Sequence, residues 1–489
     1  MAEDLKRLVK HTSIYTIGNL LYRGAAFFLI PLYVHYLKPA EYGMLEIFYA
    51  TVAVSQILIS SGIAHATLRF YFEYKDEADQ KKVISTALIT TMVIGVCGAL
   101  AMISLSSRLS LWLFHTPDLA PYFRLTALML AFEITKEIAL SFIRAREYSI
   151  LFVGVSFLQL ILLVGINTYM VVALQEGVYG FLLGNLIATI VTWILLVGFT
   201  VKQCGLKFDI SQLSAIVAYG YPLMLSGLIG SVAKNADRFF LNAFVSLEVV
   251  GLYALASKVG IALQTFVVEP FTRSYGPFRF SIMREENAKA VYTSVMTYFC
   301  AGVTFIGLLM AMFSEEIIRI VADHSYYGSA VLIPYFLIDA ILFGVLYNLQ
   351  TGIYITKSTK YMFYITTSSV LIQLAMNFLL VRRFGVYGAI VSTLTASLYS
   401  VIMTWKIAQG LFPIEYDYKR VLTLFALAGV LLAVGKWIPI QNIVIVISFK
   451  GMLCALYPAL IVCGKFLTLN EKETLRAAWH SIPFGVKGR

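Results

Sequence analysis

Apolar stretches of about 20–25 residues alternate along the chain with short polar breaks, and each stretch is long enough to cross a hydrocarbon core as a helix. The pattern predicts spans near 12–36, 42–64, 83–105, 119–142, 148–172 and 178–200. A second set follows near 215–237, 246–270, 289–313, 328–352, 361–381 and 387–408, then two more near 418–438 and 442–466, fourteen in all. The fourth, seventh and tenth contain charge. The breaks are uneven: 65–82, 201–214, 271–288 and a tail from 467 are the long ones, all on the side of the N-terminus. On the other side the connections are turns such as Lys38–Glu41 and Gln175–Gly177.

The pattern also repeats. Gly177-Val178-Tyr179-Gly180 recurs 208 residues on as Gly385-Val386-Tyr387-Gly388. The same offset carries Gly43 onto Gly251, Gln56 onto Gln264, and Phe70, Phe72, Glu77, Lys81 and Val83 onto Phe278, Phe280, Glu285, Lys289 and Val291. The expected fold is therefore an all-α polytopic membrane protein with two parallel six-helix repeats, 1–208 and 209–412, and two additional spans with a tail in 413–489. An even number of spans per copy gives both copies the same orientation. The breaks 65–82 and 271–288 are expected to form short amphipathic helices at the membrane surface. A duplicated unit with a cleft between its copies is a transporter plan.

Composition agrees: 59% of residues are hydrophobic and 13% charged, with mean hydropathy +0.80, which excludes a soluble globular chain. The net charge of +11 follows the topology. With the N-terminus inside, roughly 25 basic residues fall on inside segments and roughly 8 outside, so both termini are expected in the cytoplasm. No basic run interleaves with aromatics as nucleic-acid binding would need. The first stretch is too long for a signal-peptide core and is read as an uncleaved span. The five cysteines have no CxxC spacing and read as packing residues. No loop is large enough for the carboxylate chemistry of a membrane polymerase, and there is no Walker A loop.

Polar residues inside spans carry the candidate chemistry, because a charge in lipid costs about 2.5–3.5 kcal/mol on insertion scales. In the first span Thr12, Thr16, Asn19 and Arg23 share one helical face. Arg23 either meets an anionic group in a cavity, where guanidinium pairs bidentately with phosphate, or makes a structural ion pair. In the seventh span Lys234, Asp237 and Arg238 cluster toward the outer end, where basic side chains snorkel. Lys234 and Asp237 either neutralise each other or face a substrate path. Gln56 and Gln264 lie on polar stripes of the second and eighth spans, with Lys258 beside the second stripe. These stripes suit either a wet cleft or interhelical hydrogen bonding. Glu133, Lys136 and Glu137 form an ionic triad that is either a relay for a proton or sodium ion or a self-satisfied patch. Asp339 has no evident local partner and either couples transport to an ion or lies near the outer surface or pairs with a distant lysine; Asp237 is a further candidate for ion coupling. No histidine lies mid-span, and no metal site or cofactor is expected.

Three sets of residues carry a resemblance. They are Leu37-Lys38-Pro39-Ala40-Glu41-Tyr42-Gly43; Tyr219-Gly220-Tyr221-Pro222-Leu223 with Ala236-Asp237-Arg238 and Gly251-Leu252-Tyr253-Ala254-Leu255-Ala256-Ser257-Lys258; and the paired Gly-Val-Tyr-Gly elements. With the span number they resemble the polysaccharide-transporter branch, the Wzx-type flippases, of the multidrug/oligosaccharidyl-lipid/polysaccharide (MOP) exporter superfamily. The resemblance implies two six-helix bundles in a V around a central cavity that alternates between two openings. It implies a cargo of polyprenyl-pyrophosphate-linked oligosaccharide moved from the inner to the outer leaflet of a bacterial cytoplasmic membrane, with a polysaccharide polymerase machinery as partner. Arg23 matches the family's cationic lumen, and Lys234 and Lys258 are placed there by location. The last two spans resemble the extra pair that borders a lipid-tail groove, where Lys450 would meet a headgroup. The competing readings are a multidrug or cation antiporter of the related MATE branch, a lipid II flippase, and a membrane polymerase of lipid-linked glycans.

Overall fold

A computed structural model describes residues 29–60, 62–437 and 443–463. The described chain is helical throughout. Helix α1 is described over 29–36, followed by α2 (Pro39–Ser60), α3 (Ile63–Glu73), α4 (Glu77–Ser104), α5 (Ser106–Phe114), α6 (Ala120–Ala145), α7 (Ser149–Thr168), α8 (Gly177–Cys204) and α9 (Ile210–Phe244). Then come α10 (Leu247–Leu263), α11 (Glu269–Ser281), α12 (Ala288–Met312), α13 (Ser314–Val321), α14 (Ile333–Leu349), α15 (Thr351–Ile355), α16 (Lys360–Phe384), α17 (Val386–Leu411), α18 (Tyr418–Trp437) and α19 (Ile443–Cys463). A π turn, Tyr169–Ala173, extends α7, and another, Gln264–Val268, joins α10 to α11. Among the described residues twelve helices are long and apolar enough to cross a membrane. Helix α6 has the length but carries Glu133, Lys136 and Glu137 along its middle. Most of the first expected span lies outside the described residues.

The chain folds as two compact units. One runs to Lys258 and takes in Val321–Ser329 and Thr366–Ala396; the other comprises Val259–Ile320, Ala330–Ile365 and the chain from Ser397. In the first unit α4 packs on α6, α6 on α8, α2 on α9, and α3 on both α4 and α9. Helix α4 shows why: Thr86, Thr90 and Thr91 are buried, while Val93, Val96 and Leu100 are exposed. In lipid, apolar side chains gain nothing by turning inward, so small and weakly polar residues make the interfaces. At Gly95 an added Cβ would lie 3.1 Å from the Ala131 carbonyl oxygen, so the absence of a side chain lets α4 and α6 approach closely. The loop before α9 is tied to α4 by Lys207 N donating to Ser85 Oγ (2.6 Å) and Asp209 N to Thr86 Oγ1 (3.1 Å). Asp209 then caps α9, accepting from the backbone N–H of Ser211 and Gln212. In the second unit α12 packs on α14, α18 and α19. Lys450 of α19 is buried against Glu316 of α13 at 2.7 Å. Its charge is thus engaged by protein, in place of the headgroup expected from the sequence.

Helix boundaries follow the 208-residue offset. Shifted by it, α3 becomes 271–281, α4 285–312, α5 314–322 and α8 385–412, beside α11, α12, α13 and α17. Gly177 and Gly385 both hold left-handed backbone, φ 54° and 57°, which lets the chain turn into α8 and α17 without a Cβ clash. Within the first unit α2 and α10 cross at Gly43 and Gly251. A Cβ on Gly43 would overlap the Leu247 carbonyl, and one on Gly251 the Pro39 carbonyl. Pro39 and Leu247 are themselves 208 residues apart, so the crossing reads the same from either helix, as a local two-fold axis requires.

Two further positions are related in this way with their chemistry exchanged. In the first unit Arg146 Nη2 pairs with Glu77 Oε1 at 2.5 Å and interacts electrostatically with Tyr71. In the second unit the counterpart of Tyr71 is Arg279, and the counterpart of Arg146 is Tyr354. The buried Arg279 guanidinium lies 4.0 Å from the Tyr354 ring centroid and 5.1 Å from those of Phe280 and Tyr347. Its Nε and Nη1 have no hydrogen-bond acceptor among the described residues. Cation and ring have changed places.

Candidate functional site

The first unit holds two polar clusters, and both use α9. In the first, Glu46 of α2 is buried with both carboxylate oxygens engaged. Oε2 accepts from Arg238 Nε at 3.0 Å, and Oε1 lies 3.0 Å from Lys258 Nζ. Arg238 also donates to the Lys234 carbonyl (3.0 Å) and reaches Ser257 Oγ (3.5 Å). It is 8% exposed, so it is a buried ion-pair partner and not the snorkelling residue its place near a helix end suggested. Lys234 turns its side chain outward and is exposed. The pairing of Lys234 with Asp237 weighed from the sequence does not form: Lys234 is exposed and Asp237 buried.

Lys258 and Glu46 line a cavity of about 280 Å³, together with Glu133, Gln159, Asn185 and Thr189, and tyrosines 33, 42 and 49. Helix α6 brings Glu133 here because Lys136, one turn on and 1% exposed, holds it at 2.6 Å from within the bundle. Thr189 Oγ1 donates to the same oxygen at 3.4 Å. Glu137 turns instead to Arg144 (2.8 Å), so the expected triad divides between two places. Asn167 Nδ2 donates to Asn185 Oδ1 (2.9 Å), and Asn185 Nδ2 to the Tyr49 hydroxyl (2.8 Å), which fixes the amide at the cavity wall.

The second cluster surrounds Asp237, 4% exposed. Tyr253 Oη donates to Oδ2 at 2.6 Å and Thr393 Oγ1 to the same atom at 2.8 Å. Asn377 Nδ2 donates to Oδ1 at 2.5 Å and Gln373 Nε2 to it at 3.2 Å. Four neutral donors thus meet the roughly four lone-pair sites of a carboxylate. Gln373 and Asn377 are one turn apart on α16, a signal present in the sequence and not used there. Asn377 Oδ1 is buried without a donor among the described residues.

The remaining candidates are dispersed. Gln56 is half-buried on α2, and Gln264 opens the π turn after α10, a geometry frequent at functional sites. Asp339 of α14 accepts from Ser397 Oγ at 2.5 Å in the second unit. Asn19 and Arg23 lie outside the described residues. No group of three or more His, Cys, Asp or Glu side chains with metal-binding geometry occurs among the described residues.

A family model described as polysaccharide biosynthesis protein matches residues 35–321, more than half of the chain. The chain belongs to this family. Its fold is that of MOP-superfamily proteins. The structure of lipid II flippase MurJ in an inward closed conformation superposes with TM-score 0.71 at 13% identity, covering 91% of this chain and 98% of that one. An inward-facing multidrug resistance MATE family transporter of the MOP superfamily superposes with TM-score 0.61 at 15% identity, over 82% and 98% of the two chains. A MATE protein in the straight conformation gives TM-score 0.54 at 15% identity, over 82% and 96%. No curated protein sequence matches the chain. This polysaccharide biosynthesis family member is a multi-pass membrane protein, and its two polar clusters lie within the residues the family model covers up to Lys258, joined by Gln373, Asn377 and Thr393 from outside it.

Proposed function

We propose that the protein is a non-enzymatic flippase for a polyprenyl-pyrophosphate-linked oligosaccharide, carrying it between leaflets of a bacterial cytoplasmic membrane by alternating access. Fourteen spans in two six-helix copies arranged as a V, plus a terminal pair, are the architecture this reading uses, with both termini in the cytoplasm. The domains are 1–208, 209–412 and 413–489. The reciprocal crossing at Gly43 and Gly251 supports the two-copy plan. The observation that carries the reading is the polar cavity at Lys258 in a chain of a polysaccharide biosynthesis family. A charged and hydroxylated headgroup needs a wet path with a cation in it, and Lys258 Nζ lies at the wall with N–H capacity beyond its bond to Glu46. Arg23 is proposed to add a second cation, and Lys234 a third from its exposed position.

The lipid tail has its own accommodation. In the second unit an apolar cavity of about 280 Å³ is walled by α12, α14 and α18, with Leu308, Ile341, Phe425 and Leu432 among its residues. A wall contributed by α18 fits a role for the terminal pair in holding isoprenoid. A MATE-type cation antiporter would want free carboxylates in its cavity. Here Glu46 is matched by two cations and Glu133 by Lys136, which leaves neither acid without an ion pair for a cationic cargo.

Asp237 is the proposed ion-coupling residue, with Glu133 and Asp339 as lesser sites. The surrounding hydroxyls and amides can turn oxygen toward a proton carrier or a hard cation such as sodium. The test is reconstitution: protein in liposomes loaded with a polyprenyl-pyrophosphate glycan, with leaflet exposure read by an impermeant periodate or lectin probe. Transfer between leaflets that requires the protein supports the reading. Absence of transfer, with uptake of organic cations instead, overturns it.

A further inference from the structure

We infer that the cavity beside Glu46, Glu133 and Lys258 is a subsite for a single sugar ring of the cargo, recognised through its hydroxyls. The inference rests on the flippase reading and names the part of the substrate that this cavity takes.

Gln159 is 6% exposed and lines the cavity, yet its amide has no hydrogen-bond partner among the described residues. Buried amides are almost always satisfied, so an amide that faces a cavity completes its hydrogen bonds there, with water or with an occupant that displaces it. Tyr42, 2% exposed on the same wall, likewise leaves its hydroxyl without a partner among the described residues. Glu133 spends Oε1 on Lys136 and Thr189 and leaves Oε2 open. The cavity therefore offers an acceptor, an ammonium donor, and two groups that both donate and accept, with tyrosine rings between them.

This combination discriminates among ligand classes. A bare anion would meet two carboxylates. A cation would meet Lys258, with Arg238 and Lys136 behind the acids. An apolar ligand would leave Gln159 and Tyr42 unsatisfied, at the full desolvation penalty. A sugar hydroxyl donates and accepts at once, so it suits a wall where open donors and acceptors alternate. The size agrees: a cavity of about 280 Å³ has room for one pyranose and its substituents.

The test uses the full-length protein in nanodiscs and saturation-transfer NMR with methyl glycosides of neutral hexoses and N-acetylhexosamines, with methyl phosphate as an anionic control. At least one glycoside receives saturation from the protein, and methyl phosphate does not. Gln159→Leu and Tyr42→Phe, chosen because each keeps the side chain's bulk, each weaken that contact roughly tenfold, the worth of a hydrogen bond lost at a buried partner. Unchanged thermal midpoints show that both variants fold. If no glycoside receives saturation, or both variants leave it unaltered, the subsite is wrong. Flipping of the glycan lipid, measured in parallel, separates the two claims: transfer without glycoside contact removes the subsite alone, and loss of both removes the proposed function as well.

Discussion

Glu46→Gln tests whether the α2–α9–α10 junction is held as described. The substitution keeps the side chain's shape and removes the charge that faces both Arg238 and Lys258. The two ion pairs have unequal weight. The Arg238 and Glu46 side chains are 9% and 5% exposed, whereas Lys258 is 29% exposed. Leaving a buried arginine without its carboxylate costs about 3–5 kcal/mol. Removing the partly wetted lysine by Lys258→Met costs about 0–1 kcal/mol, since Arg238 still neutralises Glu46. Replacing both members of the buried pair, Glu46→Gln with Arg238→Met, removes the stranded charge and regains most of the loss. The assay is equilibrium unfolding in mixed micelles followed by tryptophan fluorescence, with stability taken from the midpoint at constant slope. A Glu46→Gln variant within about 1 kcal/mol of the parent would refute the junction. So would a double variant whose losses simply add.

Asp237→Asn removes the charge and turns one carboxylate oxygen into a donor, from which the Tyr253 and Thr393 hydroxyls can accept; transport by this variant is expected to lose its response to imposed proton and sodium gradients while glycan-lipid binding persists. An unchanged response in proteoliposomes rules out Asp237 as the coupling site. Gly43→Val forces apart the α2 and α10 backbones and is expected to abolish monodisperse protein in size-exclusion chromatography, whereas Gly154→Ala, where an added Cβ meets nothing within 4 Å, leaves the profile intact. Asp209→Ala removes the cap of α9 and lowers stability by roughly 1 kcal/mol, read from the unfolding midpoint. Arg23→Ala is expected to stop flipping in a protein that still folds; wild-type transfer would take Arg23 out of the site.

Most span positions were legible because burial in lipid is a one-dimensional signal: length and polarity suffice. The 208-residue register was legible because it is carried by backbone needs, the left-handed glycines 177 and 385 and the close crossing at 43 and 251. The site was less so, because its pairs are remote in the chain. Arg238 looked like a snorkelling residue because Glu46 is 192 positions away, and the donors to Asp237 from α16 and α17 lie 136 to 156 positions away. Lys234 and Asp237 sit one turn apart, so spacing suggested a pair. Helix α9 turns one outward and the other inward, which only the packing of neighbouring helices determines.

The exchange between Tyr71–Arg146 and Arg279–Tyr354 bears on how the two halves can evolve. Changing one member of either pair alone would set tyrosine against tyrosine or guanidinium against guanidinium. Tyr354→Arg would bring a second positive charge against the buried Arg279, a like-charge contact. Each pair therefore has to change at both positions together.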